Sequence, residues 1–452
     1  MDDVFFNSVR LDSSLCKGCI NCIKRCPTQA IRVRNGKAVI TKKFCIDCGE
    51  CIRICPHHAK LATYDPLDVL DKYEYKVALP APSLYGQFNN LEDVNILLRA
   101  LLKIGFDDIY EVAKAAELVS ELSRDYIKKE PQKMPFISSA CPSVVRLIRV
   151  RFPNLIEHLL PVSAPIDIAA EEARRIAIQK TGLPSEKIGI VFISPCPAKV
   201  TAVHAPLGIE KSDVDAVIAI KEVYPRLIAA MKESVDETDE YSESGKIGVS
   251  WGGSGGEAGG LLTDSYLAAD GIENVIRVLE DLEDQKFTDL EFIELNACAG
   301  GCVGGVLTVE NPYVAKAKLK RLRKYLPVAC SHLDSQNIPM NAFWDGEIEY
   351  QPVFNLGDNM RESIVNMQRV EELCAKFPGL DCGSCGAPTC KALAEDIVRG
   401  VAHERDCVHL LRQYIHKLTD EFSMLDSRYD SDSVRDGEEN SGSENDDNNN
   451  KE

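Results

Sequence analysis

Cysteines at particular spacings carry the chemistry of this sequence, and the most informative pair lies in the stretch ELNACAGGCVGGV. An alanine and two glycines separate Cys298 from Cys302, so one loop can present two thiolates to the same inorganic cluster. Glycine has no Cβ and lets the backbone approach such a cluster closely. Two isolated cysteines, Cys141 and Cys196, lie far upstream, and a proline follows each of them. The sequence therefore predicts four thiolates, drawn from three remote loops, around a buried iron–sulfur cluster.

Eight further cysteines near the N-terminus form two copies of the pattern Cys-x-x-Cys-x-x-Cys-x-x-x-Cys-Pro, 29 residues apart. This pattern is typical of bacterial two-cluster ferredoxins, in which the fourth cysteine of each run binds the other cluster. The resemblance implies that the first 4Fe–4S cluster is bound by Cys16, Cys19, Cys22 and Cys55. It implies that the second is bound by Cys45, Cys48, Cys51 and Cys26. Zinc is the competing interpretation, but zinc sites use pairs of Cys-x-x-Cys rather than triplets.

Four more cysteines lie close together near the C-terminus, in LDCGSCGAPTC and HERDC: Cys382, Cys385, Cys390 and Cys407. The stretch KALAEDIVRGVAHERDC is amphipathic and predicts a helix that returns Cys407 to the first three. The region resembles the small 4Fe–4S domain of ferredoxin-reducing complexes and corrinoid proteins, with zinc again as the alternative. Cys330 and Cys374 have no partner at ligand spacing and are interpreted as buried or free thiols.

Composition limits the class of protein. The chain has 452 residues, 45% of them hydrophobic, and 18 cysteines. A disulfide scaffold fits poorly, because such scaffolds are short and secreted and this N-terminus has no signal pattern. No apolar run approaches the roughly 18 residues of a membrane span. The interpretation is a cytoplasmic protein whose cysteines bind metal. The net charge of −18 argues against nucleic-acid binding.

Short β-branched segments alternate with helical ones from about residue 75 onward. Strands are predicted at KVALPAPS, KIGIVFISPC, DAVIAI, KIGVSWGG and LEFIELNAC, and near the N-terminus at IRVRN and AVITKK. Helices are predicted at VNILLRALLKIG and AAELVSELSRDYIKKE. This alternation indicates α/β architecture with mainly parallel sheets, in which ligands lie beyond the carboxyl ends of the strands. Cys141, Cys196 and Cys298 each follow such a segment.

At these cysteines the chain resembles the catalytic domain of the iron-only, or FeFe, hydrogenases. The resemblance implies that Cys141, Cys196, Cys298 and Cys302 bind the 4Fe–4S cubane of an H-cluster. In that family, the fourth cysteine also bridges to a two-iron subsite that carries carbon monoxide, cyanide and dithiolate ligands. The implied catalytic residues are therefore Cys302 and Lys199, because Lys199 matches a lysine that hydrogen-bonds a cyanide. Pro82 and Ser83 match a loop on the same cyanide side.

Several departures from the family pattern concern proton transfer. Members of the family carry two adjacent cysteines where this chain has Ala140-Cys141, and the missing cysteine is their proton donor. Two family methionines are replaced by Ser194 and Asn296, which are predicted to line the cofactor. Lys114 stands where the family has a relay glutamate, whereas Glu117 is kept. A lost relay group costs about 10²–10⁴ in rate.

This pattern resembles the sensory branch of the family, and slow, reversible dihydrogen oxidation and proton reduction is the predicted function. Electrons would leave by the Cys141–Cys302 cubane and then the two N-terminal 4Fe–4S clusters, and a third further 4Fe–4S cluster is predicted in the C-terminal domain. The predicted partners are dihydrogen and protons, a ferredoxin or other redox protein, a signalling kinase or phosphatase and the hydrogenase maturation proteins. A variant of this prediction is a rapid hydrogenase that uses a different proton route, through Glu257 or water. The alternative function is a non-catalytic iron–sulfur carrier or assembly scaffold without the two-iron subsite.

The predicted fold is a two-lobed α/β hydrogenase domain with an N-terminal α+β ferredoxin-like domain and a small helical C-terminal 4Fe–4S domain. The predicted boundaries are 1–65 for the ferredoxin, 75–310 for the hydrogenase-like domain, 311–372 for a helical connector and 373–425 for the C-terminal domain. Residues 426–452 are predicted to be a disordered acidic tail, because they are rich in Ser, Asp, Asn and Glu and almost free of apolar residues.

Overall fold

The computed structural model describes residues 6–287, 289–333, 338–353 and 355–435. The chain forms two compact units, and the division falls between Phe354 and Asn355, inside the predicted connector.

The first part of the larger unit is a small α+β module. Its strands are β1 (Val9–Leu11), β2 (Ile31–Arg34), β3 (Lys37–Ile40) and β4 (Lys60–Ala62), and its helices are α1 (Asn21–Arg25) and α2 (Glu50–Arg53). Strand β1 pairs antiparallel with β4, and β2 pairs antiparallel with β3, which confirms the predicted strands at IRVRN and AVITKK. The module's core mixes apolar residues with six of its cysteines.

A four-stranded parallel sheet forms the first lobe of the α/β region. Its order is β6 (Asp108–Ile109), β5 (Tyr75–Pro80), β8 (Ile188–Ser194) and β9 (Ala216–Ala219). Every residue of β8 is buried, as expected of a central strand covered on both faces. The helices of this region are α3 (Val94–Lys103), α4 (Val112–Lys129), α6 (Pro165–Thr181), α7 (Pro197–His204) and α8 (Ile220–Glu233).

A second, three-stranded parallel sheet forms the other lobe. Its order is β10 (Tyr266–Asp270), β11 (Phe292–Asn296) and β7 (Phe136–Ile137). Helices α5 (Pro142–Arg151) and α11 (Ile272–Glu283) bury apolar residues with these strands in one hydrophobic cluster. The two parallel sheets confirm the predicted α/β class.

One predicted strand is wrong. The segment KIGVSWGG begins with the short helix α9 (Lys246–Ser250), and the helix α10 (Gly256–Gly260) follows it. The buried Glu117 carboxylate accepts hydrogen bonds from the backbone N–H groups of Gly245 (2.7 Å) and Gly248 (3.4 Å), which are free only at a helix start. A Cβ on Gly248 would lie 2.1 Å from the carbonyl oxygen of Ala113, so this helix packs backbone to backbone on α4.

The remaining helices are α12 (Pro312–Leu322) in the larger unit and α13 (Met360–Lys376), α14 (Cys390–Val398) and α15 (Val408–Arg435) in the smaller one. The predicted helix at KALAEDIVRGVAHERDC ends at Val398, because Gly400 takes the left-handed conformation (φ +74°) and turns the chain. The prediction of disorder from residue 426 is wrong as far as Arg435, since α15 continues to that residue. Low apolar content argues against burial but does not prevent a helix. The rest of the predicted tail lies outside the described residues.

Within the described residues, none of the helices combines the length and the apolar character that crossing a bilayer requires.

A buried carboxylate joins the N-terminal module to the α/β region. Asp47 is fully buried and accepts hydrogen bonds from Asn7 Nδ2, the Val9 N–H and Thr201 Oγ1, each at 2.9 Å. Thr201 lies on α7, and its hydroxyl also accepts the Ser8 N–H at 3.1 Å. Buried polar groups of this kind cost free energy unless they are paired, so the two regions hold each other in one relative position.

Replacing Thr201 by valine, which has the same shape but no hydroxyl, tests this junction. We expect Thr201→Val to lower the free energy of unfolding by about 1–3 kcal/mol, because a buried N–H and a buried carboxylate each lose a partner. The measurement is the midpoint of denaturant unfolding, with Thr419→Val on the exposed part of α15 as the control. Equal midpoints for the two variants would contradict the role of Thr201.

Candidate functional site

Four cysteines from three loops meet where the two parallel sheets end. Cys141 begins α5 just after β7, and Cys196 begins α7 just after β8. Cys298 lies two residues beyond β11, and Cys302 opens the following helical turn. All four therefore lie beyond the carboxyl ends of parallel strands, the position that parallel sheets offer to ligands.

The electrostatics of these thiols indicate that they are close neighbours. Burial, together with the negative charges of Cys196 and Cys141, raises the pKa of Cys302 to about 12. Burial and the Cys141 charge likewise raise the pKa of Cys196 to about 11. The pKa of Cys298 is raised by burial and by the other three. Four thiolates cannot share this dry space as free anions, whereas iron bound between them would neutralise their charge.

Two glycines between the last pair of cysteines are required by close backbone contacts. Gly300 and Gly301 have φ values of +79° and +90°, which other residues rarely adopt. A Cβ on Gly301 would lie 2.3 Å from the Ser254 nitrogen. The loop WGGSGG therefore packs on the cysteine loop, and hydrogen bonds join Ser254 N–H to Gly300 O (3.0 Å) and Val303 N–H to Gly252 O (2.9 Å).

A cavity of about 60 Å³ lies next to Cys302. Most of the predicted site residues line it: Pro82, Ser83, Ala140, Lys199, Asn296 and Cys302. Most of the remaining wall is apolar: Ala81, Val112, Ala116, Pro165, Ile166, Phe192, Pro195, Trp251 and Gly252. Ser194 is not part of this lining, and its hydroxyl instead donates to the carbonyl oxygen of Cys196 at 3.0 Å. Its role is therefore to hold the cysteine turn rather than to contact the contents of the cavity.

Two hydrogen-bond donors reach this cavity. Ser83 is fully buried, and its Oγ has no hydrogen-bond partner among the described residues. The Lys199 ammonium donates to the Ala140 carbonyl oxygen at 2.9 Å, which uses one of its three protons. A hydroxyl and an ammonium with unused donors suit an anionic ligand in a dry cavity. The donor set and the four cysteines thus fit the cofactor that the family resemblance implies.

A pair of buried carboxylates forms another wall of the cavity. Burial, together with the charge of Glu294, raises the pKa of Glu257 to about 8. Glu257 accepts a hydrogen bond from Ser138 Oγ at 2.6 Å. Glu294 accepts hydrogen bonds from two backbone N–H groups and from Asn296 Nδ2, the latter at 2.7 Å. Sequence reasoning named Glu257 but missed Glu294, although an acid inside the apolar strand segment LEFIEL was a usable signal.

Lys114 and Glu117, the two upstream positions that the family resemblance relates to proton transfer, do not line this cavity. Lys114 forms an ion pair with Glu243 near the surface. Besides the two N–H groups of α9, the Glu117 carboxylate accepts the N–H groups of Cys330 and Ser331, each at 2.8 Å. Because four backbone donors occupy its oxygens, Glu117 ties α4 to two loops and has a structural role.

The electrostatics of the N-terminal thiols show which cysteines are neighbours. Burial raises the pKa of Cys22, and the charges of Cys19, Cys55 and Cys16 add to it. Burial and then the Cys26 charge raise the pKa values of Cys48 and Cys51, and for Cys45 burial and the Asp47 charge come before the smaller effects of Cys51 and Cys26. The fourth cysteine of each run is thus a neighbour of the opposite run, as in two-cluster ferredoxins.

The second N-terminal set is the nearer one to the four-cysteine site. Cys48 and Cys141 pack against the same hydrophobic cluster. The Arg53 guanidinium donates to the Gly304 carbonyl oxygen at 3.0 Å, and its charge lowers the pKa of Cys298 against the larger effect of burial.

In the smaller unit, burial raises the pKa of Cys385, with the charges of Cys382 and Cys407 adding to it. The remaining predicted ligand, Cys390, has Cys374 as a neighbour. Sequence reasoning did not connect Cys374 with this site, because Cys374 lies outside the motif spacing. Within the described residues, no three His, Cys, Asp or Glu side chains are arranged to hold a single metal ion.

Comparisons with known proteins agree with this geometry. The family model described as the iron only hydrogenase large subunit, C-terminal domain, matches residues 74–265 and 257–306. A 4Fe-4S dicluster domain matches residues 8–56, and an Fe-S cluster family matches 377–409. The chain therefore belongs to the iron-only hydrogenase family and carries additional iron–sulfur domains.

The relatives are distant. The NADP-reducing hydrogenase subunit HndD of Solidesulfovibrio fructosivorans is 23% identical over 66% of this chain and 64% of its own. Iron hydrogenase 1 of Clostridium pasteurianum is 24% identical over 68% of this chain and 66% of its own. The chain thus spans just under two thirds of the length of these relatives. A solved variant of FeFe-hydrogenase HydA1 from Chlamydomonas reinhardtii is 14% identical, with a TM-score of 0.44 over 55% of this chain and 86% of its own.

The variant Glu117→Gln distinguishes a structural carboxylate from a proton relay. In Glu117→Gln an amide nitrogen would face backbone N–H donors, so we expect a loss of about 1–3 kcal/mol in the free energy of unfolding. The measurement is the shift of the unfolding midpoint, with the exposed Glu186→Gln as control. A variant with unchanged stability and lowered hydrogen turnover would instead assign a relay role to Glu117.

Proposed function

We propose that this chain holds an H-cluster at Cys141, Cys196, Cys298 and Cys302 and catalyses slow, reversible, heterolytic dihydrogen oxidation and proton reduction with a sensory role. The observation that carries the proposal is the meeting of these four cysteines beside a cavity into which Ser83 and Lys199 bring unused donors. A buried hydroxyl without a partner is rare in folded proteins and costs free energy unless a ligand accepts its proton.

When bound, the two-iron subsite supplies the chemistry that splits and forms dihydrogen. The protein's part is to hold and surround it. Cys302 lines the cavity and would bridge the cubane to the subsite. Lys199 and Ser83 would donate to its anionic ligands, and apolar neighbours such as Phe192 and Ile166 exclude water, which strengthens those bonds. Asn296, held by Glu294, presents a polar group where the family has a methionine.

Slow turnover follows from the missing proton donor. Ala140 lines the cavity but has no group that can carry a proton. Glu257 is an acid that lines the same cavity, and it keeps its proton near neutral pH because burial and the Glu294 charge raise its pKa to about 8. Ser138 connects Ala140 to Glu257, since the Ser138 Oγ accepts the Ala140 N–H at 3.2 Å and donates to the Glu257 carboxylate. A slower proton route through Glu257 is therefore part of the proposal.

Electrons would pass between the four-cysteine site and the N-terminal clusters. The set of Cys26, Cys45, Cys48 and Cys51 comes first, because Cys48 shares a hydrophobic cluster with Cys141. The other N-terminal set extends the path toward a ferredoxin or another redox protein. Maturation proteins must supply the two-iron subsite, and a kinase or phosphatase would transmit the signal in the cytoplasm.

Infrared spectroscopy tests the proposed cofactor directly. After maturation with hydrogenase assembly enzymes, we expect carbon monoxide and cyanide stretching bands, because the cavity and its donors suit those ligands. In Ser83→Ala the cyanide bands should shift, since one hydrogen bond to a ligand is lost. The carrier or scaffold function predicts iron–sulfur signals without these bands, and that result after complete maturation would refute the H-cluster.

Restoring a thiol at position 140 tests the cause of slow turnover. We expect Ala140→Cys to raise hydrogen turnover by about tenfold or more, below the full 10²–10⁴ of a relay group because Lys114 and Glu117 do not continue the path. The control is Ala81→Cys, which adds a thiol at another point of the same cavity. Equal rates for both variants would show that the missing thiol does not limit turnover.

A further inference from the structure

The N-terminal module buries a lysine without a partner. Lys60, the first residue of β4, is only 2% exposed. Its Nζ has no hydrogen-bond partner among the described residues. An ammonium removed from water and left unpaired costs several kcal/mol, so a nearby negative charge must offset this cost.

Lys60 lies beside both cysteine sets. Ala59, the residue before it, belongs to the same buried cluster as Cys16, Cys22 and Cys51, and the Ala59 N–H donates to Cys55 Sγ at 3.3 Å. In agreement, the Lys60 charge lowers the pKa of Cys22 and of Cys51 against the larger effect of burial. The same charge lowers the pKa of Cys16 against the effect of burial. Cys16 and Cys22 belong to the first set and Cys51 to the second. The Lys60 ammonium therefore lies within electrostatic reach of both predicted clusters.

The internal repeat provides a reference for this position. The runs Cys26-Pro-Thr-Gln-Ala-Ile31 and Cys55-Pro-His-His-Ala-Lys60 correspond residue by residue, so Ile31 is the counterpart of Lys60. Ile31 is also 2% exposed and also begins a strand. An apolar residue thus satisfies the packing at the symmetric position, and packing alone does not explain a lysine in the second half.

We propose that the Lys60 ammonium raises the reduction potentials of both N-terminal 4Fe–4S clusters and thereby favours transfer of electrons to them. Reduction adds one electron, and so one negative charge, to a cluster without any other bond change. A fixed positive charge in a medium of low dielectric constant stabilises that reduced state. This inference rests on the proposed binding of two clusters by this module.

The test uses the full chain with its iron–sulfur clusters, in the variants Lys60→Met and Lys60→Ile, the second of which copies the residue of the first repeat. The readout is a potentiometric titration followed by electron paramagnetic resonance, with the other two clusters as internal references. At a fixed potential, we expect the ratio of reduced to oxidised N-terminal cluster to fall tenfold or more. This corresponds to a decrease of about 59 mV or more in the reduction potential of the cluster.

Three controls make the result specific. Lys42→Met removes the same charge from an exposed position and should leave the potentials unchanged. Ile31→Met places a methionine at the symmetric position of the first repeat without a change of charge. Lys60→Arg keeps the charge and should keep the potentials close to those of the unchanged chain.

Iron content separates the possible failures. A chain that binds no clusters through Cys16 to Cys55 would overturn the cluster assignment itself. Full iron content with potentials that do not move in Lys60→Met and Lys60→Ile would overturn the role of Lys60 alone. Loss of iron in the isoleucine variant would also overturn it, because Lys60 would then be needed for assembly and not for the potential.

Discussion

Thiolate charge buried away from water is the constraint on which this structure depends. Twelve cysteines in the larger unit are predicted to form three sets of four, and buried neighbouring thiols raise one another's pKa. As thiolates, such sets are stable only when a cation occupies the space between the sulfurs. The strands, turns and glycines around them follow from that requirement, since each loop must deliver its sulfur to a shared centre without placing a Cβ in the way.

The same constraint explains the polar residues that the α/β core tolerates. Ser83, Lys199, Glu257 and Glu294 lie in a wall that is mostly apolar, and each would be costly there in an ordinary core. Some are satisfied by the protein, as Glu294 is by backbone N–H groups, and others keep capacity for a ligand, as Ser83 does. This division separates residues that support the cavity from residues that face its contents.

Spacing in the sequence was sufficient to predict what repeats or alternates. The two cysteine runs, the strands before Cys196 and Cys298, and the helices α3 and α4 follow from local patterns and appear as predicted. Contacts over long distances were not predictable in this way. The helix α9 in place of a strand depends on Glu117, more than a hundred residues earlier in the chain, and the orientation of Ser194 depends on the turn at Cys196. Lys60 could have been recognised by aligning the two repeats with each other.

The contact of Arg53 with Gly304 has a kinetic consequence. The N-terminal module is fastened to the loop that carries Cys302, and Gly49 packs so closely on Val306 that a Cβ there would lie 2.8 Å from its side chain. Under the proposed function, exchange of electrons between the two regions would consequently be a first-order event within one molecule, independent of dilution. A freely diffusing carrier would have to collide and dock for every electron, and its rate would fall with concentration.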